Sequence, residues 1–321
     1  MRVETTIETW KLKEVFTTAR HRLEEIKTVC VKIEHAGAEG WGEAVGVDLH
    51  GESAESIAAQ INALDHRQMS RDNLRDMLGP GGARNALDCA LWDLECKSNG
   101  DSIWQLLEIK PRPITTVYTI PIEHADAMAT KAAAAANFPI LKVKLDADDP
   151  VGKMQAIRKA RPDAHLIVDC NQGWDLDLLR HAAPALRKIN VEMIEQPLKA
   201  GKDYDLIGYH SPVPLCADES CNTRADIKYL QPRYQMINIK LDKAGGLTEA
   251  LAMIKTAQRE GLKLMVGNML GTSLGMAPAF VIAQSCKYAD LDGPLLQRED
   301  RDHALTFNDA QIESPSNKLW G

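Results

Sequence analysis

The sequence lacks the paired cysteines, the long apolar runs and the positive charge that mark several common classes of protein. Its seven cysteines are scattered without a C-x-x-C pair, so we expect buried, reduced side chains rather than disulfides. No run of about 18 apolar residues occurs, and the N-terminus has no hydrophobic signal region. We therefore expect neither a membrane span nor a secretion signal, and we expect a cytoplasmic protein.

Positive charge and histidine metal motifs are also scarce. The chain carries a net charge of −7 at pH 7 and has a pI near 5.8. A nucleic acid or an anionic membrane needs a basic patch on its partner, so neither is expected as a main partner. The nine histidines show no H-E-x-x-H or comparable spacing, and a zinc site is not expected. At 321 residues, however, the chain is long enough for one large barrel and a small second domain.

What the chain does have is a repeated pattern in which an apolar run ends in a charged residue. The runs end at Lys144, Asp169, Glu195, Asp218 and Lys240, and a last run reaches Asp290 and Asp292. The first five charged positions follow one another at about 22 to 26 residues, the length of one strand, one helix and two short loops. The spacing predicts an α/β fold, a modified (β/α)-barrel with its charged side chains at the C-terminal ends of the strands.

The residues before this pattern predict a separate domain. Strands are expected near residues 7–11, 28–34 and 41–45, and helices over 52–64, 71–78 and 82–97. Lys110-Pro111-Arg112-Pro113 stops helix formation and marks the boundary. We expect an α+β capping domain of residues 1–112, completed by the tail 299–321, and a barrel domain of residues 113–298.

Three acidic residues end successive predicted strands. Asp169, Glu195 and Asp218 should converge at one mouth of the barrel, where their mutual repulsion would raise their pKa values. A hard divalent cation such as Mg²⁺ resolves this repulsion, with one carboxylate from each strand and further positions for water and substrate oxygens. Three separate salt bridges to lysine or arginine are the alternative.

Lysines flank the predicted metal site. Lys142 and Lys144 alternate onto one face of strand two, and Lys240 ends strand six, which lies opposite strand two in an eight-stranded barrel. Lys144 and Lys240 would then address opposite faces of a bound carbon, the geometry of a two-base proton transfer. Burial, the metal and the neighbouring ammonium group are expected to lower the pKa of Lys144 toward neutrality. A substrate carboxylate on Mg²⁺ would stabilise the enediolate formed by deprotonation.

Two other classes of protein are alternatives to this interpretation. Residues 271–275 match G-x-S-x-G before a helix, and Asp292 and His303 follow in the order of an α/β-hydrolase. Ser273 would be the nucleophile, but it does not follow directly on a strand end and no H-G-G-G loop is present. A barrel that binds a ligand without catalysis is the third class, and it would show a metal site without proton exchange.

Five motifs together resemble a known family. They are Lys142-Val-Lys144, Asp169-Cys-Asn171, Glu195-Gln-Pro197, Asp218-Glu-Ser220 and Lys240-Leu-Asp242-Lys243. In this order and spacing they resemble the muconate-lactonizing-enzyme subgroup of the enolase superfamily, which implies a (β/α)7β barrel with a capping domain. The resemblance implies Asp169, Glu195 and Asp218 as Mg²⁺ ligands and Lys144 and Lys240 as the acid and base. It also implies that Lys142 assists in stabilising the enolate.

The residues at the end of predicted strand eight indicate, by the same resemblance, a class of substrate. Asp290-Leu291-Asp292 is similar to the Asp-x-Asp of dipeptide epimerases, which implies binding of a dipeptide's α-ammonium group, with L-Ala-D/L-Glu as the substrate. Arg20 or Arg22 in the loop 16–22 would meet the glutamate side chain, and both stay candidates. An o-succinylbenzoate synthase, an N-acylamino acid racemase or a cycloisomerase on the same scaffold is the alternative. The sequence does not decide the oligomeric state, and a homo-oligomer is possible.

Overall fold

A three-stranded antiparallel sheet opens the chain. The structure, a computed structural model, describes residues 1–17 and 22–321. The strands are β1 (Arg2–Thr17), β2 (Arg22–His35) and β3 (Ala38–Ala44), in the order β1-β2-β3. This confirms the predicted meander. The pairing of β1 with β2 shifts register between Lys11 and Phe16, and Leu12 in this bulge pairs with Gln297 of the barrel side.

Four helices follow this sheet, and the longest packs on it. They are α1 (Ala54–Asn62), α2 (Leu74–Met77), α3 (Gly82–Asn99) and α4 (Ile103–Leu106). Helix α3 passes so close to β3 that a Cβ atom at Gly42 would lie 2.1 Å from the Ala86 carbonyl oxygen. Glycine on the strand and alanine on the helix therefore allow the contact. The predicted helix over 71–78 is shorter than expected, because its first turn is irregular.

Eight parallel strands form the second part of the chain. They are β5 (Tyr118–Ile120), β6 (Ile140–Lys144), β7 (His165–Asp169), β8 (Val191–Glu195), β9 (Leu215–Ala217), β10 (Met236–Ile239), β11 (Lys263–Val266) and β12 (Tyr288–Ala289), after the short strand β4 (Ile114–Thr115). They lie side by side in chain order. The first and last strands meet where Thr116 pairs with Ala289 and the Val117 N–H donates to the Ala289 carbonyl at 2.8 Å. The predicted barrel is confirmed.

Helices follow the strands, and all but the last of them lie between one barrel strand and the next in the chain. They are α5 (Ala125–Ala134), α6 (Pro150–Ala160), α7 (Leu176–Lys188), α8 (Arg224–Leu230), α9 (Leu241–Ala244), α10 (Leu247–Arg259), α11 (Ser273–Ala283) and α12 (Gly293–Leu296). Between β8 and β9 a single 3₁₀ turn at Asp203–Leu206 takes the place of a helix. No helix within the described ranges is long and apolar enough to cross a membrane.

The C-terminal tail returns to the first sheet and its helices. It forms a hairpin, β13 (Phe307–Asn308) and β14 (Gln311–Ile312), that pairs with β4. Arg301 forms ion pairs with Glu8 and Glu43, and the Trp320 indole N–H donates to the Cys89 carbonyl at 2.9 Å. The hairpin was not expected from the sequence, because two-residue strands have no recognisable periodicity.

Candidate active site at the C-terminal ends of the barrel strands

Lys142 lies at the centre of the charged cluster. It comes from β6 and is 1 % exposed, because alternation along the strand directs it into the barrel. Its Nζ atom lies 2.6 Å from Asp290 Oδ2, 2.9 Å from Glu195 Oε2 and 3.1 Å from Asp169 Oδ2. Burial lowers the pKa of Lys142, but the three carboxylates outweigh burial and the net shift is upward. The surrounding carboxylates therefore favour the charged form of Lys142.

Lys144 lies on the same face of β6, one repeat further along the strand. Its Nζ atom donates to Asp169 Oδ2 at 2.7 Å and to Asn171 Oδ1 at 3.0 Å. Asp169 also accepts the Asn171 backbone N–H at 2.9 Å through Oδ1. Burial raises the pKa of Asp169, but Lys144 and Lys142 outweigh burial and hold it below its usual range. The ionised form of Asp169 is thus favoured, and its carboxylate lies within hydrogen-bond distance of Lys144.

Asp218 is held by two other lysines. Lys240 Nζ donates to its Oδ2 at 2.8 Å, and Lys243 Nζ donates to its Oδ1 at 2.6 Å. Burial raises the pKa of Asp218, but these two ammonium groups lower it more strongly. Burial likewise lowers the pKa of Lys240, but Asp218 reverses the direction. The pKa values of Lys142 and Lys240 are therefore both raised, because each ammonium group contacts buried acids.

Glu195 has the least complete set of partners among the three acids. It is fully buried, and its Oε1 accepts the Asn238 side-chain N–H at 2.5 Å. Its Oε2 faces the Lys142 ammonium at 2.9 Å but has no partner in hydrogen-bond geometry. Burial raises the pKa of Glu195, and the charge of Asp169 raises it further. A second cation near Oε2 would therefore stabilise the ionised form.

The three acids fit a hard cation by their chemistry. Asp169 pairs in register with Glu195 across β7 and β8, and the charge of Asp218 acts on both. Across residues 1–17 and 22–321, no trio of histidine, cysteine, aspartate or glutamate is grouped tightly enough to hold a metal ion. Lysine ammonium groups instead lie against the carboxylates. Three buried carboxylates with one orphaned oxygen form the oxygen-rich donor set that Mg²⁺ prefers.

A cavity of about 270 Å³ lies directly above these groups. Its floor includes Lys144, Asn171, Asp218 and Lys240, and its other walls include Phe16, Leu23, Val47 and Leu49. The wall segment 45–49 is fixed to the barrel, because the Val45 and Gly46 N–H groups donate to Asp242 Oδ1 at 2.9 and 2.8 Å. A ligand in this cavity would touch the barrel acids and the first domain together.

Asp290 and Asp292 lie at the end of the last strand, as predicted, but they are not open carboxylates. Asp290 pairs with Lys142, and Asp292 is 1 % exposed and accepts the Thr119 backbone N–H at 2.8 Å. Burial raises the pKa of Asp292, and the charge of Asp290 adds to the shift. Neither residue is among the described residues that line the cavity.

Of the two candidate arginines of the first hairpin, Arg22 is among the described residues. Arg22 begins β2 opposite Thr17, and its side chain is exposed. It is not among the described residues that line the cavity. Arg20 lies outside the described residues. The choice between these two arginines therefore stays a prediction.

Ser273 has the surroundings of a structural residue. It begins helix α11 and is fully buried, and its hydroxyl donates to Asp300 Oδ2 at 2.5 Å and accepts the Leu305 N–H at 3.0 Å. Asp292, the acid of the proposed triad, is bound to Thr119. This serine ties the C-terminal tail to the barrel, and the hydrolase interpretation loses its nucleophile.

Sequence reasoning did not assign roles to three buried polar residues of the site, namely Gln196, Asn238 and Lys243. Asn238 precedes Lys240 by two residues on β10, so strand alternation alone could have placed it in the barrel. Lys243 donates to the Asp218 side chain and to the Cys221 carbonyl at 2.8 Å. It lies on the short helix α9, where no strand periodicity could reveal its direction.

Two family patterns match almost the entire chain. The pattern described as mandelate racemase / muconate lactonizing enzyme, N-terminal domain, matches residues 1–108. The pattern described as enolase C-terminal domain-like matches residues 125–318.

Two curated relatives are similar over most of the chain. An N-acetyl-D-glutamate racemase from Pseudoalteromonas sp. is 44% identical over 287 residues, which cover 88% of this chain and 91% of the relative. An L-Ala-D/L-Glu epimerase from Escherichia coli (strain K12) is 42% identical over 311 residues, which cover 95% of this chain and 97% of the relative.

Solved structures show the same architecture. An enolase family member from Agrobacterium tumefaciens with homology to dipeptide epimerases, solved with bound sodium and L-Ala-L-Glu, has a TM-score of 0.97 at 42% identity and covers 99% of both chains. A dipeptide epimerase from Enterococcus faecalis V583, complexed with Mg and L-Leu-L-Tyr, has a TM-score of 0.93 at 26% identity, covering 99% of this chain and 98% of the other.

Proposed function

Because the chain belongs to the mandelate racemase / muconate lactonizing enzyme family of enolase-like proteins, we propose that it is a Mg²⁺-dependent dipeptide epimerase. The reaction is a 1,1-proton transfer at the α-carbon of the C-terminal residue of a dipeptide such as L-Ala-D/L-Glu. One observation carries the proposal: Lys144 and Lys240 end strands two and six of the barrel and lie against different acids. Two proton-transfer groups on opposite sides are what inversion of a carbon requires.

The chemistry assigned to the chain's own residues is proton transfer. One lysine, as a neutral amine, takes the α-proton, and the ammonium group of the other lysine returns a proton to the opposite face. The groups exchange roles in the reverse direction. Lys142, held as a cation by three acids, stabilises the negative charge that develops on the substrate carboxylate.

We assign the cation to Asp169, Glu195 and Asp218. All three carboxylates are buried at the same end of the barrel, and Glu195 Oε2 has no hydrogen-bond partner. When bound there, Mg²⁺ supplies positive charge to the substrate carboxylate and increases the acidity of the adjacent α-proton.

The substrate's α-ammonium group is assigned to Asp292, with Asp290 beside it. Support comes from their position at the end of the last barrel strand and from the mutual effect of their charges. A cationic group would favour the ionised form of Asp292, which burial disfavours. Arg20 and Arg22 are proposed for the side-chain carboxylate of glutamate.

A racemase of N-acylated glutamate is the second candidate, and one contact favours it. Asp290 lies 2.6 Å from Lys142, so its charge is already compensated within the protein. That leaves Asp292 alone to attract an ammonium group. An N-acylated substrate has no ammonium group and would not need either carboxylate.

We also propose the domain boundaries and the cellular location of the protein. Residues 1–112 with the tail 299–321 form the capping domain, and residues 113–298 form the barrel; the ion pairs of Arg301 with Glu8 and Glu43 support joining the tail to the cap. All seven cysteines are free, which supports a cytoplasmic location.

Deuterium exchange tests the proposed function directly. The protein is incubated in D₂O with L-Ala-L-Glu, L-Ala-D-Glu, N-acetyl-L-glutamate and N-acetyl-D-glutamate, and exchange is followed by mass spectrometry. We expect the two dipeptides to exchange fastest. Faster exchange of the N-acetyl compounds would support the second candidate, and no exchange in any substrate would contradict both.

A further inference from the structure

Gln196 follows Glu195 directly, and its side chain reaches the segment that carries Asp218. It is fully buried. Its Oε1 accepts the backbone N–H groups of Asp218 at 2.9 Å and of Ser220 at 3.1 Å. Its Nε2 lies within donating distance of the Leu198 carbonyl at 2.8 Å, Ser220 Oγ at 2.9 Å and Tyr234 OH at 3.1 Å. The amide group is therefore saturated with partners.

The backbone of Gln196 forms hydrogen bonds to β9 and to the loop that follows β7. Its N–H donates to the Cys216 carbonyl of β9 at 2.9 Å. Its carbonyl accepts the Gln172 N–H at 2.8 Å, and Gln172 lies in the loop that follows Asp169. One residue thus contacts the segments after β7 and β9 while it continues from β8. These are the three strands that carry Asp169, Glu195 and Asp218.

The backbone around this connection has an uncommon conformation. Gln196 has a φ of 34°, Asn171 of 42° and Gln172 of 67°, all in the left-handed region that non-glycine residues rarely adopt. Such conformations persist where surrounding contacts hold them, and they cluster at functional sites.

A second layer of polar groups fixes the Gln196 amide from behind. Asp203 accepts the Ser220 hydroxyl at 2.7 Å and the Tyr234 hydroxyl at 2.6 Å, and it pairs with Arg233. Each of these groups is oriented by the next one. A buried network with satisfied partners is rigid, because moving one member leaves others unpaired at about 1 to 3 kcal/mol each.

These contacts act on the backbone beneath the acids rather than on the carboxylates. Asp169, Glu195 and Asp218 are like charges that repel one another, and free strand ends would relax by moving apart. The hydrogen bonds that the Asp218 and Gln172 N–H groups donate to Gln196 oppose this motion whatever occupies the carboxylate oxygens.

We infer that Gln196 is a positioning residue that keeps the backbone segments carrying Asp169, Glu195 and Asp218 next to one another, so that the three carboxylates can close together on one divalent cation. The inference rests on the proposed function, because it takes these acids as the cation ligands. Gln196 touches neither substrate nor cation in this role. Its loss should weaken cation binding by about 10- to 100-fold, the usual effect of removing a residue that orients metal ligands.

Titration calorimetry with MgCl₂ alone tests the inference. Gln196→Met keeps the side-chain volume and removes all five side-chain contacts, whereas Gln196→Asn keeps the amide but shortens its reach, which guards against a folding defect in the first variant. The matched control is Gln235→Met, because Gln235 Oε1 accepts the Leu215 N–H at 3.0 Å at the opposite end of β9. We expect a raised Mg²⁺ Kd in both Gln196 variants and an unchanged Kd in the control.

Thermal unfolding of the same proteins distinguishes positioning from general stability. A lower Tm together with the parent Kd in both Gln196 variants would overturn the inference and leave the proposed function intact. An equal rise in Kd for Gln235→Met would also overturn it, since the effect would not be local. Absence of Mg²⁺ binding in the parent protein would instead contradict the metal assignment of the proposed function, and the inference with it.

Discussion

Replacing Lys240 with methionine isolates one of the two proposed proton-transfer groups. Methionine keeps the length of the lysine stem but removes the ammonium group that lies 2.8 Å from Asp218 Oδ2. Loss of a general acid or base lowers a rate by about 10²- to 10⁴-fold, or roughly 3 to 5 kcal/mol of activation free energy. Each inversion uses both lysines, so the loss should affect epimerisation in both directions.

The fold should tolerate this substitution. A buried carboxylate left without any partner costs about 3 to 5 kcal/mol. In Lys240→Met, however, Asp218 keeps Lys243 at 2.6 Å from its Oδ1. We therefore expect a smaller loss of unfolding free energy and a folded protein whose defect is chemical.

Exchange in D₂O separates the two faces of the substrate carbon. Lys240→Met should still exchange the α-proton of the one epimer whose proton faces Lys144. Lys144→Met should instead exchange the α-proton of the other epimer. Lys153→Met is the matched control. Lys153 is a buried lysine of helix α6, and its Nζ atom lies 2.7 Å from Asp146 Oδ1. Undiminished epimerisation in Lys240→Met, or an equal loss in Lys153→Met, would refute the two-base reasoning.

Three further predictions concern the metal, the substrate ammonium group and pH. EDTA should abolish activity and Mg²⁺ should restore it. Asp218→Asn should raise the Mg²⁺ Kd about tenfold or more in calorimetry. Full activity in EDTA would contradict the metal assignment. Asp292→Asn should raise the KM of L-Ala-L-Glu by roughly tenfold without changing that of N-acetyl-glutamate, and equal effects would contradict the ammonium role. Burial raises the pKa of Asp88 from 3.8 to about 6, so this group lowers stability as pH rises through that interval, by at most ~3 kcal/mol. Urea unfolding at both ends of the interval should show a smaller decrease in Asp88→Asn, and an equal decrease would show that Asp88 is not the cause.

The positions of the three acids could be predicted because they depend on one repeated property. Each of Asp169, Glu195 and Asp218 ends an apolar run, and parallel strands of a barrel place their C-terminal ends together. The same argument placed Lys144 and Lys240 on opposite strands. Strand periodicity is a local signal, and the barrel converts it into a global arrangement.

The pairing of these side chains could not be predicted from the same signal. Lys142 pairs with Asp290 across 148 residues of sequence, and the contact depends on closure of the barrel between its first and last strands. From the sequence, Asp290 is expected as a ligand of the substrate ammonium group, and its pairing with Lys142 is not anticipated. Such a pairing depends on side-chain geometry, about which periodicity contains no information.

The contacts of the lysines also connect the ionisation of the bases with the charge of the acids. Lys240 lies against Asp218, whose negative charge makes its ammonium group harder to deprotonate. Whenever a cation shares the charge of Asp218, this stabilisation weakens and the pKa of Lys240 falls toward the range of a usable base. If Asp218 holds the cation and Lys240 is a base, as proposed, the same carboxylate would both bind the cation and restrain the base, and proton transfer would then depend on a filled cation site.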